Sequence, residues 1–124
     1  MMLIDDFYKV MQMDMEDALV KAVLELNAGH NIFKGHFPGT PVVPGVCMMQ
    51  LVKEMVEMAT GAPVLLAKAD SIKFLSVIDP VINSIVQITL SFRMSDDAVE
   101  VSAGISSGET VCCKFKGKFV VANR

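Results

Sequence analysis

The segment from Gly45 to about residue 59 sets the terms for the whole chain. Val46, Cys47, Met48, Met49, Leu51, Val52, Met55, Val56 and Met58 make it apolar nearly all round as a helix. Its polar residues, Gln50, Lys53, Glu54 and Glu57, fall at i, i+3, i+4 and i+7, a single narrow stripe. Such a helix must be wrapped by the rest of the protein. Thr60-Gly61-Ala62-Pro63 stops it, and a Pro/Gly-rich loop leads into it.

The remaining sequence is suited to that wrapping. Residues 18–26 read as a strand, with Val20, Ala22, Leu24 and Leu26 on one face and Lys21 and Glu25 on the other, ended by Asn27-Ala28-Gly29. After the helix the period is two again, predicting strands over 64–75, 82–93, 98–105 and 109–122. Ser95-Asp96-Asp97 and Ser106-Ser107-Gly108 are the turn signals between the last three. Ile4, Phe7, Tyr8 and Met11 at helical spacing predict a short N-terminal amphipathic helix. Strand, buried helix, then an antiparallel meander is an α+β order, a curved antiparallel sheet closing around one long central helix. At 124 residues the expectation is a single domain over 1–124, large enough for one core and too short for two.

Composition narrows the partners. Apolar residues make up 52% and charged residues 20%, a balance that leaves apolar surface for another subunit or a greasy ligand. The net charge of -3 argues against nucleic acid, which demands a dense basic surface. No uninterrupted apolar stretch reaches the roughly 18 residues of a membrane span. The first residues, with Asp5 and Asp6, lack the pattern of a secretory signal. Three cysteines, Cys47, Cys112 and Cys113, have no metal-ligand spacing, so no metal is expected and a reducing, cytoplasmic setting fits. Of the three, only Cys47, in the first helical turn, is placed for a lowered pKa. Lys114, Lys116 and Lys118 alternate with Phe115, Gly117 and Phe119, giving a basic strand face that is either simply solvated or a dock for an acidic protein, with Lys68, Lys73 and Arg93 as further candidates.

The approach to the helix carries the chemistry. Gly35-His36-Phe37-Pro38-Gly39-Thr40-Pro41-Val42-Val43-Pro44-Gly45 places a titratable side chain in a loop stiffened by prolines. This run, His-Phe-Pro-Gly followed by Pro-Val-x-Pro-Gly-Val and a helix, resembles the signature of the (3R)-hydroxyacyl-acyl carrier protein dehydratases, and Asn31-Ile32-Phe33-Lys34 precedes it much as in that family. Lys68-Ala69-Asp70-Ser71-Ile72-Lys73-Phe74, then Asp79-Pro80, is similar to the family's next strand and turn. About twenty residues are diagnostic; elsewhere the likeness is one of pattern. The resemblance implies a hotdog fold and a dimer or multiple of dimers, including a trimer of dimers. It also implies an acyl chain, on acyl carrier protein or CoA, held in a tunnel at the dimer interface.

Under that resemblance His36 is the base for the α-proton, since imidazole titrates near neutral pH. The backbone N–H of Gly45 or Val46, at the positive end of the helix, stabilises the thioester oxygen. Where the family carries Glu or Asp in the helix, this chain has Gln50, which holds a water or hydroxyl but transfers no proton. Phe37, Pro38, Gly39, Val46, Met49 and Glu54 are the expected substrate contacts; Glu54 lies one turn beyond Gln50. No cofactor is implied. The leading expectation is a hydro-lyase of fatty-acid or related acyl-chain synthesis. Two alternatives stand beside it: a catalytically impaired subunit that binds acyl carrier protein or pairs with an active homologue as a heterodimer, and an acyl thioesterase.

Overall fold

The computed structural model describes residues 3–35 and 41–122. His36, Phe37, Pro38 and Gly39, the core of the expected site loop, lie outside the described residues.

The elements run β1 Tyr8–Glu16, β2 Leu19–Leu26, α1 Ile32–Gly35, α2 Gly45–Thr60, β3 Val64–Phe74, β4 Ile85–Ser95, β5 Ala98–Ser107 and β6 Thr110–Val121. The six strands form one antiparallel sheet in the order β1-β2-β4-β5-β6-β3. Alternation decides which face is covered. Val20, Ala22, Leu24 and Leu26 of β2, with Val86, Ile88 and Leu90 of β4, are buried in one cluster with Leu51, Val52, Met55 and Val56 of α2. Each such side chain contributes roughly 1.5–3 kcal/mol relative to leaving it in water. The helix is thus pinned to one face of the sheet, as its narrow polar stripe requires.

Turn chemistry sets the meander. Asp17 and Asp96 adopt left-handed φ of 55° between β1 and β2 and between β4 and β5, a conformation that Asp tolerates better than most residues. Gly61, at φ 72°, ends α2 where the sequence places its stop, and its N–H donates to the Glu57 carbonyl.

The N-terminus departs from the expected helix. Phe7 and Tyr8 of that spacing are buried but Met11 is 57% exposed, because after one turn closed by Phe7 N–H on the Leu3 carbonyl the chain enters β1. Pairing with β2 then takes over, from Tyr8 opposite Leu26 to Glu16 opposite Leu19. A bulge between Val10 and Gln12 breaks the two-residue period, and so hides the strand from a reading based on alternation. The strand expected from residue 82 starts instead at Ile85. Asp79 Oδ1 accepts from the N–H groups of Val81 and Ile82, and Asn83 Oδ1 accepts from Ile85, so these side chains hold a turn there.

Candidate functional site

Helix α2 begins without a side-chain cap. Its N-cap is Pro44, in extended conformation, and no acidic residue occupies the first turn. The Pro44 carbonyl takes the amides of Cys47 and Met48. The amides of Gly45 and Val46 precede these first bonds, so the positive end of the helix is free of a neutralising carboxylate.

That end opens on a cavity of about 580 Å³, lined by Gly45, Val46, Met49, Gln50 and Lys53 of the helix and by Leu66, Ile72, Phe74 and Phe119 of the sheet. Four expected site residues, Gly45, Val46, Met49 and Gln50, therefore line one apolar space. Phe74, which ends the segment similar to the family's next strand, joins them and is central. A Cβ built on Gly45 would lie 2.9 Å from Phe74 Cζ, so the bare glycine backbone is where this ring approaches the helix. Gly45 and Phe74 also border a second cavity of about 510 Å³, on the side of Val42, Val43 and Met48. In the sequence Phe74 stands only as an aromatic residue near the end of the strand expected over 64–75.

The polar stripe of the helix divides, with Gln50 and Lys53 at the cavity and Glu54, an expected substrate contact, turned inward. Glu54 is only 1% exposed and does not line the large cavity. Its Oε1 accepts from Ile4 N–H at 3.0 Å and Tyr8 O–H at 2.8 Å, and its Oε2 from Leu3 N–H and Gln50 Nε2, both at 2.8 Å. These four bonds fill the acceptor capacity of a carboxylate. Burial, and then the bond to Glu54 and its charge, push the Tyr8 phenol well above the ordinary tyrosine range. Glu57 likewise turns inward, accepting from Val64 N–H at 2.9 Å and so fixing the start of β3. Lys53 stays at the cavity.

Cys47, His30 and the sheet lysines fall away from this site. Cys47 is buried, and burial raises its thiol pKa, the reverse of the lowering that a helix N-terminus suggests. His30 Nδ1 accepts from Ile32 N–H and Nε2 lies 3.1 Å from Asp6 Oδ2, with Phe7 edge-on to the ring, a loop tether. On the outer sheet face, Lys73 stands directly opposite Lys114, and Lys68 opposite Lys118. Among the described residues no metal-holding cluster of His, Cys, Asp or Glu occurs, and no helix is long and apolar enough to cross a membrane.

A helix held on an antiparallel sheet, with an apolar cavity at its N-terminus, is the hotdog architecture. Solved structures share it. The dehydratase heterocomplex ApeI:P from Xenorhabdus doucetiae superposes with a TM-score of 0.73 at 15% identity, over 90% of this chain and 96% of that one. A hypothetical thioesterase with coenzyme A from Streptococcus pneumoniae gives 0.68 at 14% identity, over 94% and 87%. The sequence matches the ApeI dehydratase model of the ApeI-like family over residues 12–116, and the chain belongs to that family. Among curated proteins it is similar to 3-hydroxyacyl-(acyl-carrier-protein) dehydratase FabZ of Rhizorhabdus wittichii, 25% identical over 87% of this chain and 65% of that protein's length. The FabZ of Levilactobacillus brevis is 28% identical over 98% of this chain and 90% of its own.

Proposed function

We propose that this protein is a hydro-lyase acting on (3R)-3-hydroxyacyl thioesters in acyl-chain synthesis. The observation that carries the reading is the apolar cavity at the uncapped N-terminus of α2, which joins Gly45, Val46 and Gln50 to walls suited to an alkyl chain. Membership of the ApeI-like dehydratase family supports it.

In this reading His36 removes the α-proton and the Gly45 or Val46 amide holds the negative charge that develops on the thioester oxygen. Gln50 holds the 3-hydroxyl, and the α-proton or a water supplies the proton with which hydroxide departs. Phe37, Pro38 and Gly39 are further substrate contacts in this reading, and Met49 and Phe74 meet the alkyl chain. Glu54 supports the site from behind. The test is hydration of crotonyl-pantetheine by the purified protein, followed by loss of enoyl absorbance. A rate no higher than that of His36→Ala sinks the proposal.

The acyl group arrives on acyl carrier protein or CoA, and the lysines of β3 and β6 favour an acidic carrier. A second copy of this chain covers β3, the sheet-edge strand that leaves Leu65, Leu66, Ile72 and Phe74 exposed.

Gln50 favours a second reading, a heterodimer in which another hotdog chain supplies the proton-transferring carboxylate. Here the protein alone is slow, and mixing it with its partner raises the rate; an equally fast homodimer rules this reading out.

A further inference from the structure

Lys53 is a cation on the walls of the large cavity, where it lies beside the apolar Leu66, Ile72 and Phe119. Among the described residues no Asp or Glu joins it there. The two carboxylates closest to it on its own helix are committed elsewhere: Glu54 is enclosed by four donors, and Glu57, one turn further on, accepts from Val64 N–H. The ion pairs among the described residues are His30 with Asp6, Lys68 with Asp70 and Arg93 with Glu100, and Lys53 takes part in none of them. Apolar walls thus enclose an ammonium without a counter-ion among the described residues. Its place on the helix also sets a distance. Lys53 comes eight positions after Gly45, about 12 Å along the axis, a span that a medium-length acyl chain covers when its carbonyl is held at the Gly45 amide. A plain alkyl chain reaching that depth strips water from the ammonium and gives nothing back, which is costly. A carboxylate at the same depth removes the cost.

We infer that Lys53 is a specificity-determining residue, which makes the site select acyl chains whose far end carries a carboxylate over chains of equal length that end in a methyl group. This deepens the proposed function and rests on it. The ammonium donates a charge-assisted hydrogen bond to the carboxylate in apolar surroundings, which corresponds to roughly tenfold to hundredfold in affinity. The phosphate at the other end of a pantetheine arm is an anion too. The walls that Lys53 shares with Leu66, Ile72 and Phe119 suit an alkyl chain and not a doubly charged group.

The experiment measures binding to the full chain by titration calorimetry. It compares S-(7-carboxyheptyl)-pantetheine with S-octyl-pantetheine, stable thioethers of equal chain length, and S-(3-carboxypropyl)-pantetheine with S-butyl-pantetheine, a pair too short to reach Lys53. None of the four carries a phosphate. The wild type is expected to bind the long carboxylate about tenfold or more tighter than its methyl-ended counterpart, and to show no such preference in the short pair. Lys53→Met keeps an unbranched side chain but removes the charge, and the long-pair ratio falls to one or below, whereas Lys53→Arg retains the preference. Lys53→Glu inverts the ratio, which preserves the test if Lys53→Met folds poorly. A wild-type ratio near one, the result if the ammonium reaches past the cavity to water, overturns the inference. A preference equal in both pairs, or one that survives Lys53→Met, also overturns it, since the anion then sits at the helix N-terminus. Lys53-dependent tightening by a 4′-phosphate on the octyl ligand assigns the ammonium to the pantetheine arm and overturns it as well. So does no binding of the long carboxylate by a protein that hydrates crotonyl-pantetheine. Absence of all binding and of hydration instead rejects the proposed function on which the inference rests.

Discussion

The ring of Phe74 occupies the space above Gly45, with Cζ 2.9 Å from where a Cβ would stand. One residue thus closes the helix N-terminus from the sheet side, and a change at either position is felt at both cavities.

Gly45→Ala should accordingly displace the ring rather than unfold the protein. Phe74 is 53% exposed and has room to swing, and alanine favours the helix over glycine by about 1 kcal/mol. Thermal melting should change little while affinity for acyl-pantetheine falls several-fold; a large loss of melting temperature would show that the ring is held rigidly.

Tyr8 gives a pH dependence with a defined sign. Its pKa is raised in the folded state, so the stability it contributes is complete below the ordinary tyrosine value of about 10 and is lost as pH rises above it. It is the chain's single tyrosine, and tryptophan is absent, so tyrosinate absorbance reports this group alone. The expected result is no tyrosinate signal until the protein unfolds in alkali. Tyr8→Phe removes one hydrogen bond, costing about 1 kcal/mol at neutral pH, and flattens the alkaline loss. Ionisation of Tyr8 at an ordinary pH in the folded protein would contradict the buried contact with Glu54.

Gln50→Glu alone places a second carboxylate against Glu54. Two such groups share one proton, and the apparent pKa of one member rises. Because the folded state then binds more protons than the unfolded chain, stability should fall as pH increases from about 4 toward neutrality. The exchange variant Gln50→Glu/Glu54→Gln keeps one amide and one carboxylate in contact, with the carboxylate now at the cavity. Under the proposed function it should hydrate crotonyl-pantetheine faster than wild type, by up to the 10² to 10⁴-fold, roughly, of general acid–base catalysis. A rate at or below wild type in a folded exchange variant would argue that Gln50 already serves the reaction fully.

Gly117 tests the sheet. A Cβ there would collide with the Lys68 carbonyl, and would lie 2.7 Å from Phe115 Cζ, where β3 bulges over β6. Gly117→Ala should cost about 1–3 kcal/mol in urea unfolding, as overpacking does, with β3 loosened first. Hydrogen exchange that rises no more in β3 than elsewhere would count against this close approach.

The parts of the molecule that obey one period were legible in the sequence. Strand β2 alternates cleanly, and α2 shows both its narrow stripe and its Gly61 stop. Where two periods or a distant partner intervene, legibility ended. Met11 sits at the bulge that disguises β1, and Glu54 could be placed on the helix surface but not paired, since nothing local announces that Leu3, Ile4 and Tyr8 return to it. Gly45, Val46, Met49 and Gln50 came together at the cavity because helix spacing places them. Phe74 reaches them only through the position of β3, a matter of tertiary packing. The chemistry assigned to His36 rests on the sequence and on the proposed assays.

The lysines opposed across β3 and β6 have a consequence beyond any single contact. On the same sheet face, at the far edge, β1 carries Asp14 and Glu16, and although Lys21, Arg93 and Glu100 lie between, the two edges of the face carry opposite charge. Opposite charge at the two edges is a transverse dipole, and it turns an approaching charged molecule before the two surfaces touch. Encounter rates should then depend on ionic strength even where the final affinity does not, because screening shortens the reach of the field to about 8 Å at physiological salt.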